Sequence, residues 1–424
     1  MMTVAQPSVR NSIARHREEL LDFVSELVST PTVTGEEGRI VPILERWIVE
    51  HGLTAETTSL DYADAARAPH FARESDLTER SNVVAWLGDP TILPVLTINA
   101  HIDVVPIVDP DDWADDPFSG ARVDGRVLGR GSVDNKGGSA AALYALLAIA
   151  ESGAELPFAV GVELVAAEES TGLGTRLTLE QRPQRVGTVV IEPTENRVII
   201  ANSGVLFFTV EVDGRAAHTS QPARGVNALE KAIRIHDAIT ALGERRARER
   251  RHPLMPAHAS SVPVVVGAFT GGGFRAAVPA HARFSGRFGV LPGESLGEVR
   301  EQLASAIADV ARSDEWLSAH PPRLIWDSEG SPGWEVPVDG YLPQALLAGQ
   351  RAAGIAEEYA GLTSGCDAGI ILDSGIPVVV FGPGDIALAH SSDEWVEEQA
   401  VVDAATVLAE GILSLADRLN GVPR

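Results

Sequence analysis

The chain has 424 residues, 45% of them apolar, a formal net charge of −25 and a single cysteine. That length is long for one core and predicts two domains. The negative charge argues against a nucleic-acid partner, which needs basic stripes. One cysteine excludes an intramolecular disulfide and fits a reducing compartment.

The opening MMTVAQPSVRNSIARHREELL lacks the basic start, apolar core and small-residue cleavage site of a secretory leader. Apolar stretches such as AALYALLAIA fall short of the roughly 20 residues a bilayer needs, so a cytoplasmic protein without a membrane span is expected. In chain order, Ile13, Leu20, Phe23, Val24, Leu27 and Val28 recur at helical spacing, and Ile43, Leu44, Trp47 and Ile48 do so again. Short β-branched runs follow at SNVVAWLG, PVLTINA, FAVGVELVAA and GTVVIEP, separated by helix-length intervals. This alternation predicts an α/β layer with a mainly parallel sheet flanked by helices and ligands at the strand ends.

From about Ser203 the texture changes to VLFFTVEVDG, a helix from Val226, SVPVVVGAF, HARFSGRFGV, a helix through VREQLASAIADVAR and a last strand at RLIWD. The β-α-β-β-α-β order predicts an inserted ferredoxin-like α+β unit. The basic run ERRARERR reads as a solvated helix end or an oligomer contact. The first layer resumes with a helix at YLPQALLAGQRAAG, the strand PVVVFG and a closing helix from Val396 to Leu419. The expected domains are 1–202 and 329–424 together, with 203–328 inserted.

Acids and histidines gather where apolar runs end. His101 and Asp103 follow PVLTINA, Asp134 lies in GRGSVDNKGG, Glu168 and Glu169 close FAVGVELVAA, Glu192 lies in VVIEPTE and His390 in DIALAHSSDEW. Two imidazoles and several carboxylates suit two divalent ions about 3.5–4 Å apart, with a bridging carboxylate and one histidine and one terminal carboxylate per ion. One acid is left over, and the spare member of the Glu168–Glu169 pair is the natural general base for a water. Adjacent residues on a strand face opposite sides, so this pair belongs where the strand gives way to STGLGT. Asp103 stands close enough to accept a hydrogen bond from the ring nitrogen of His101 that does not bind metal. Cys366, in TSGCDAG without a histidine in the motif, reads as a small packed residue.

At these residues the chain resembles the M20 metallopeptidases, the group holding acetylornithine deacetylase, succinyl-diaminopimelate desuccinylase, aminoacylase-1 and glutamate carboxypeptidase. HIDVVP, GRGSVDNKGG, AAEEST, IEPTE, HTSQPARGVNAL and GPGDIALAHSSDEW occur in the family's order. The resemblance implies that His101 and Glu192 bind one metal, Glu169 and His390 the other, and that Asp134 bridges them. It makes Glu168 the general base and acid and Asp103 the residue that orients His101, and it implies a cis peptide at Asp134–Asn135. The implied cofactors are two divalent ions, Zn²⁺ or else Mn²⁺ or Co²⁺.

The insertion corresponds to the family's lid. There His218, from the same or a partner subunit, is implied to polarise the scissile carbonyl, which implies a homodimer. Arg287 is implied to hold a substrate carboxylate, with Asn227 and Gly365 also at the substrate. One departure stands out: Ala276, preceded by Arg275, occupies the position before the VP of AAVPA where the family usually has a substrate-binding asparagine. The expected activity is hydrolysis of a C–N bond in a small carboxylate-bearing substrate, an N-acyl amino acid or a dipeptide. Hydrolytic deamination of an aromatic amino-acid-like compound and a catalytically silent binding protein stay open as alternatives.

Overall fold

The computed structural model describes residues 7–60, 79–256, 260–327 and 330–420. The chain divides into two compact units, one of residues 1–200, 336–359 and 366–424, the other of residues 201–335 and 360–365. Residues 330–335 and 360–365 thus fall in the second unit rather than in the resumed layer.

The first unit is built on a sheet whose strands lie in the order Thr54–Ser59, Ser81–Leu87, Ala159–Val165, Val95–His101, Arg185–Ile191, Val378–Phe381, Val198–Asn202. The four strands from Ala159–Val165 to Val378–Phe381 are parallel, and the pairs flanking them are antiparallel. Val95–His101 and Ala159–Val165 are buried along their whole length, as strands covered on both faces must be. Because these strands run parallel, their C-terminal ends share one edge of the sheet. Ligands of open α/β sheets bind there.

Gly137–Ser152 is apolar on nearly every side and is buried accordingly. It packs on Glu398–Asn420, which also packs on Tyr341–Ala353. By length and composition alone Glu398–Asn420, read from the sequence as the closing helix and not as a span, is apolar enough to cross a membrane; 61% of its most apolar window is buried. It is a core helix of this unit.

Several local expectations shift. The helical pattern from Ile13 to Val28 is two helices, Val9–Arg15 and Arg17–Val28, meeting at His16, where φ is −90° and ψ 10°. Val396 belongs to a short strand, Trp395–Glu397, paired with Arg126–Leu128 before the closing helix begins. Thr54–Ser59 (TAETTS) went unpredicted because an edge strand with a polar sequence carries no apolar run.

In the second unit, Gly204–Asp213, Ala228–Glu249, Val264–Gly271, His281–Val290, Leu296–Arg312 and Arg323–Trp326 follow one another as strand, helix, strand, strand, helix, strand. The sheet order is Val264–Gly271, His281–Val290, Gly204–Asp213, Arg323–Trp326, all antiparallel. Phe208, Val210, Phe284 and Phe288 pack from the sheet against Ile235, Ile239, Leu303 and Ile307 of the two helices. The basic run is not wholly solvated. Arg246 is buried, pairing with Glu294 at 2.7 Å and donating to the Gly289 carbonyl at 3.0 Å.

Candidate metal centre

The parallel edge of the first unit collects the acids and histidines named above. His101 is the last residue of its strand, Glu168 and Glu169 follow Ala159–Val165, and Glu192 follows Arg185–Ile191 directly. Asp134 sits in the irregular segment Ser132–Lys136 ahead of Gly137–Ser152, and its peptide to Asn135 is cis. The residues before or at two of these positions take left-handed backbone: Ala167 has φ +66° and His390 φ +60°. Such conformations in non-glycine residues cost about 1–3 kcal/mol and survive where surrounding contacts impose them.

The donor atoms converge. His101 Nδ1 donates to the Asp103 carbonyl at 2.9 Å, so in the neutral ring Nε2 has a lone pair facing Asp134 Oδ1, also at 2.9 Å. Two facing acceptors at that distance repel unless a proton or a cation lies between them. The other oxygen of Asp134, Oδ2, stands 3.4 Å from His390 Nε2, which is itself 3.2 Å from Glu169 Oε1. One carboxylate therefore serves two imidazoles, one on each oxygen. Ligand atoms of His101, Asp134 and Glu169 all lie within 4.8 Å of one another. Glu192 is buried beside them.

The electrostatics agree with a cation-seeking site. Burial opposes charge on His101, yet Asp103 and Asp134 hold its imidazole well above the ordinary histidine range. Hydrogen bonds to Asp134 and Glu169 raise His390 to about 10. Burial, then the Asp134 charge, pushes Glu192 up, and burial with the Asp367 charge does the same to Glu168. A buried group of acids whose repulsion is this poorly offset is stabilised by positive charge placed among them. Imidazole and carboxylate donors in this mixture suit Zn²⁺, Mn²⁺ or Co²⁺, so the residues fit two divalent ions.

Asp103 is present at the site but bonds differently from expectation. The ring of His101 binds its backbone carbonyl, and the carboxylate Oδ1 is 3.7 Å away from Nδ1. The carboxylate instead accepts the Glu168 and Glu169 N–H groups at 3.1 and 3.2 Å and the Thr34 hydroxyl at 2.9 Å.

Two acids escaped the sequence reading. Asp367, buried and raised to about 6 by its burial, accepts the Thr175 hydroxyl at 2.5 Å. Glu394 Oε1 accepts three backbone N–H groups, from Gly131 at 3.0 Å and from Val133 and Asp134 at 3.1 Å, and its charge is met by Arg130. Both stand in motifs quoted above, TSGCDAG and DIALAHSSDEW, near the cysteine and the histidine, and nothing local marks either acid as buried. The Cys366 thiol is pushed well up by burial and by the charge of Glu192, which makes it a poor nucleophile.

The remaining candidates belong to the second unit. His218 is exposed, and Ser220 N–H donates to its Nδ1 at 3.1 Å, so the neutral ring carries its proton on Nε2, a donor turned to solvent. Arg287 pairs across the sheet with Phe207 and Val265. Its Nη2 donates to the Thr363 carbonyl at 3.0 Å, two residues from Gly365, while its buried Nε has no partner among the described residues. Burial without an acid nearby holds its guanidinium below the usual range. Asn227 caps the helix Ala228–Glu249, accepting from Leu229 N–H and donating to Glu230, so its amide is committed to the helix end. The Ala276 carbonyl accepts the Thr219 N–H at 3.3 Å, which puts Ala276 beside His218 in this unit.

Residues 97–414 match Peptidase family M20/M25/M40. The chain is 26% identical to the N-formyl-4-amino-5-aminomethyl-2-methylpyrimidine deformylase of Bacillus subtilis (strain 168), covering 97% of this chain and 98% of that one. It is 28% identical to the acetylornithine deacetylase of Edwardsiella ictaluri (strain 93-146), over 92% and 96% of the two chains. The structure of the YXEP protein of Bacillus subtilis, a dinuclear metal-binding peptidase, superposes with a TM-score of 0.63 at 16% identity, over 95% of this chain and 99% of that one. The chain belongs to peptidase family M20/M25/M40 and is a hydrolase of C–N bonds of the amide type.

Proposed function

We propose that the chain hydrolyses the amide bond of a small carboxylate-bearing substrate, an N-acyl amino acid or a dipeptide, with two divalent ions at the edge of its parallel sheet. The observation that carries this reading is Asp134, whose two oxygens each meet a different imidazole. His101 and Glu192 would hold one ion, Glu169 and His390 the other, and Asp134 both. The ions supply Lewis acidity and make water a nucleophile near neutral pH.

Glu168 is the base. Its burial and acidic neighbours raise its proton affinity, so a carboxylate oxygen takes a proton from the attacking water and returns it to the leaving nitrogen. His218 Nε2–H donates to the oxygen on which negative charge develops, and the reading includes a homodimer through the second unit, or a higher homo-oligomer, in which that donor comes from the same or a partner subunit. Arg287, a partly buried cation without an acid partner among the described residues, receives the substrate carboxylate through its guanidinium fork.

The test is a panel of N-acetyl, N-succinyl and N-formyl amino acids, dipeptides and amino-substituted aromatic acids, given to the metal-loaded protein and to its Glu168→Gln variant. Amine release from an N-acyl amino acid or dipeptide that vanishes in the variant supports the reading and names the acyl group. Ammonia from an aromatic amine with the acyl panel inert replaces it by deamination.

A further inference from the structure

The turn that carries Glu168 and Glu169 is tied down in an unusual way. Four successive peptide N–H groups each donate to a buried side chain from elsewhere in the first unit. Ala166 N–H goes to Asn82 Oδ1 at 3.1 Å, Ala167 N–H to Glu37 Oε1 at 3.2 Å, Glu168 N–H to Asp103 Oδ1 at 3.1 Å and Glu169 N–H to Asp103 Oδ2 at 3.2 Å. None of these is a helix or strand ladder bond. Ala167, at the centre, is the residue with φ +66°, a conformation that alanine adopts only under constraint.

Glu37 is the member of this set most distant in sequence and, unlike Asn82, it carries a charge. It is fully buried, and its charge is met by Arg80, 3% exposed, through Nε to Oε2 at 2.9 Å and Nη2 to Oε1 at 2.7 Å. Oε2 also accepts the Gly35 N–H at 3.0 Å. Next to Gly35, the Thr34 hydroxyl binds Asp103. The segment Thr34–Glu37 therefore reaches the turn twice, directly through Glu37 and indirectly through Thr34 and Asp103. A buried ion pair is an expensive way to fill space, since two apolar side chains of similar volume serve stability as well or better. This pair has a second use, because only an ionised carboxylate accepts from Arg80 on both oxygens and from the Ala167 and Gly35 amides together.

We propose that Glu37, held by Arg80, is a positioning residue: it sets the left-handed turn at Ala167 and through it the placement of the Glu168 and Glu169 carboxylates. The inference rests on the two-ion reading above. Ligands are oriented by groups behind them, and removing such groups typically lowers metal affinity or activity about 10–100-fold.

The test uses Co²⁺, whose visible spectrum reports coordination, on the full chain. Wild type, Arg80→Met, the double variant Glu37→Met with Arg80→Met, and the alternative pair Glu37→Leu with Arg80→Leu are each titrated with Co²⁺ and melted. The double variant leaves no unpaired buried charge, so its melting temperature should recover relative to Arg80→Met. Its Co²⁺ affinity at one of two sites should nonetheless fall about 10–100-fold, with an altered spectrum and a lowered kcat at unchanged KM. Arg80→Met leaves the Glu37 oxygens in place for Ala167 but strips them of their counter-charge, so it should melt lowest of the set while losing less Co²⁺ affinity than the double variant. A double variant with wild-type Co²⁺ affinity and spectrum overturns the proposal, because Glu37 is then a stabilising pair only. If that double variant does not fold, Glu37→Leu with Arg80→Leu, which equally removes the acceptor of the Ala167 N–H, decides by the same spectrum, an unchanged one overturning the proposal. Wild-type protein that takes up no Co²⁺ overturns the two-ion reading itself, an outcome distinct from two bound ions with indifferent variants.

Discussion

The two units hold their candidate residues by opposite means. In the first, the acids and imidazoles at the sheet edge are braced from behind: Asp103, Glu37 and Glu394 between them accept seven backbone N–H groups, two, two and three respectively. In the second, among the described residues, the exposed His218 side chain is held by its neighbour Ser220, and Arg287 has one hydrogen bond and an unpartnered Nε. On the proposed function, the difference separates groups that would hold ions and take the proton of water from groups that would meet the substrate. Groups that hold ions and move protons need positions set to within fractions of an ångström before substrate arrives, whereas a group that recognises an anion must keep its hydrogen-bonding capacity unspent until it does.

The sharpest way to break this division is Glu168→Gln. It should lower kcat on the order of 10²–10⁴-fold while elemental analysis finds the metal content of the wild type; lost metal would place Glu168 among the ligands. Next comes Arg287→Ala, expected to raise KM roughly 10–100-fold, the loss of a charge-assisted hydrogen bond, with metal content and kcat little changed. A fall in kcat alone would move Arg287 from recognition into chemistry.

Metal binding should depend on pH in a fixed direction. Both imidazoles are raised in the metal-free protein, His390 to about 10 with Asp134 as its first cause, so near neutral pH an incoming ion must displace their protons. Affinity should therefore rise with pH up to the histidine pKa values, by up to about tenfold per pH unit for each proton released. Calorimetry at several pH values, in buffers of different ionisation enthalpy, counts those protons; affinity that falls as pH rises through this window would refute the assignment. The smallest effect is expected at Asn227. Because its amide caps a helix, Asn227→Ala should cost about 1 kcal/mol of stability in thermal unfolding and leave KM unchanged. A raised KM without lost stability would return Asn227 to the substrate.

Much of the centre was legible in the chain. His101, Glu168, Glu169 and Glu192 stand where apolar runs stop, and once those runs become parallel strands their ends must meet at one edge; Asp134 and His390 lie on irregular segments that only the fold brings there. Asp367 and Glu394 were legible only as letters inside motifs, since nothing local distinguishes a buried acid from a solvated one. Glu37 was not legible as part of the site at all. It meets Ala167 across 130 positions, and Glu394 meets Asp134 across 260, and no periodicity encodes a hydrogen bond over such separations. Arg246 misled for the same reason: its basic run looks like a solvated helix end until Glu294 is folded against it.

What the sequence by itself determined is what depends on neighbours along the chain: strands from β-branched runs, helices from apolar spacing, the β-α-β-β-α-β order of the second unit and which acids and histidines stand at the ends of apolar runs. What only the tertiary structure decided is which side chains take up the turn amides, that Asp103 holds His101 by its carbonyl and the Glu168–Glu169 turn by its carboxylate, and that Arg287 lacks an acid partner among the described residues. The reason is physical. Local conformation follows from short-range sterics and burial period, while the partner of a buried polar group is set by which distant segments the core brings within about 3 Å of it.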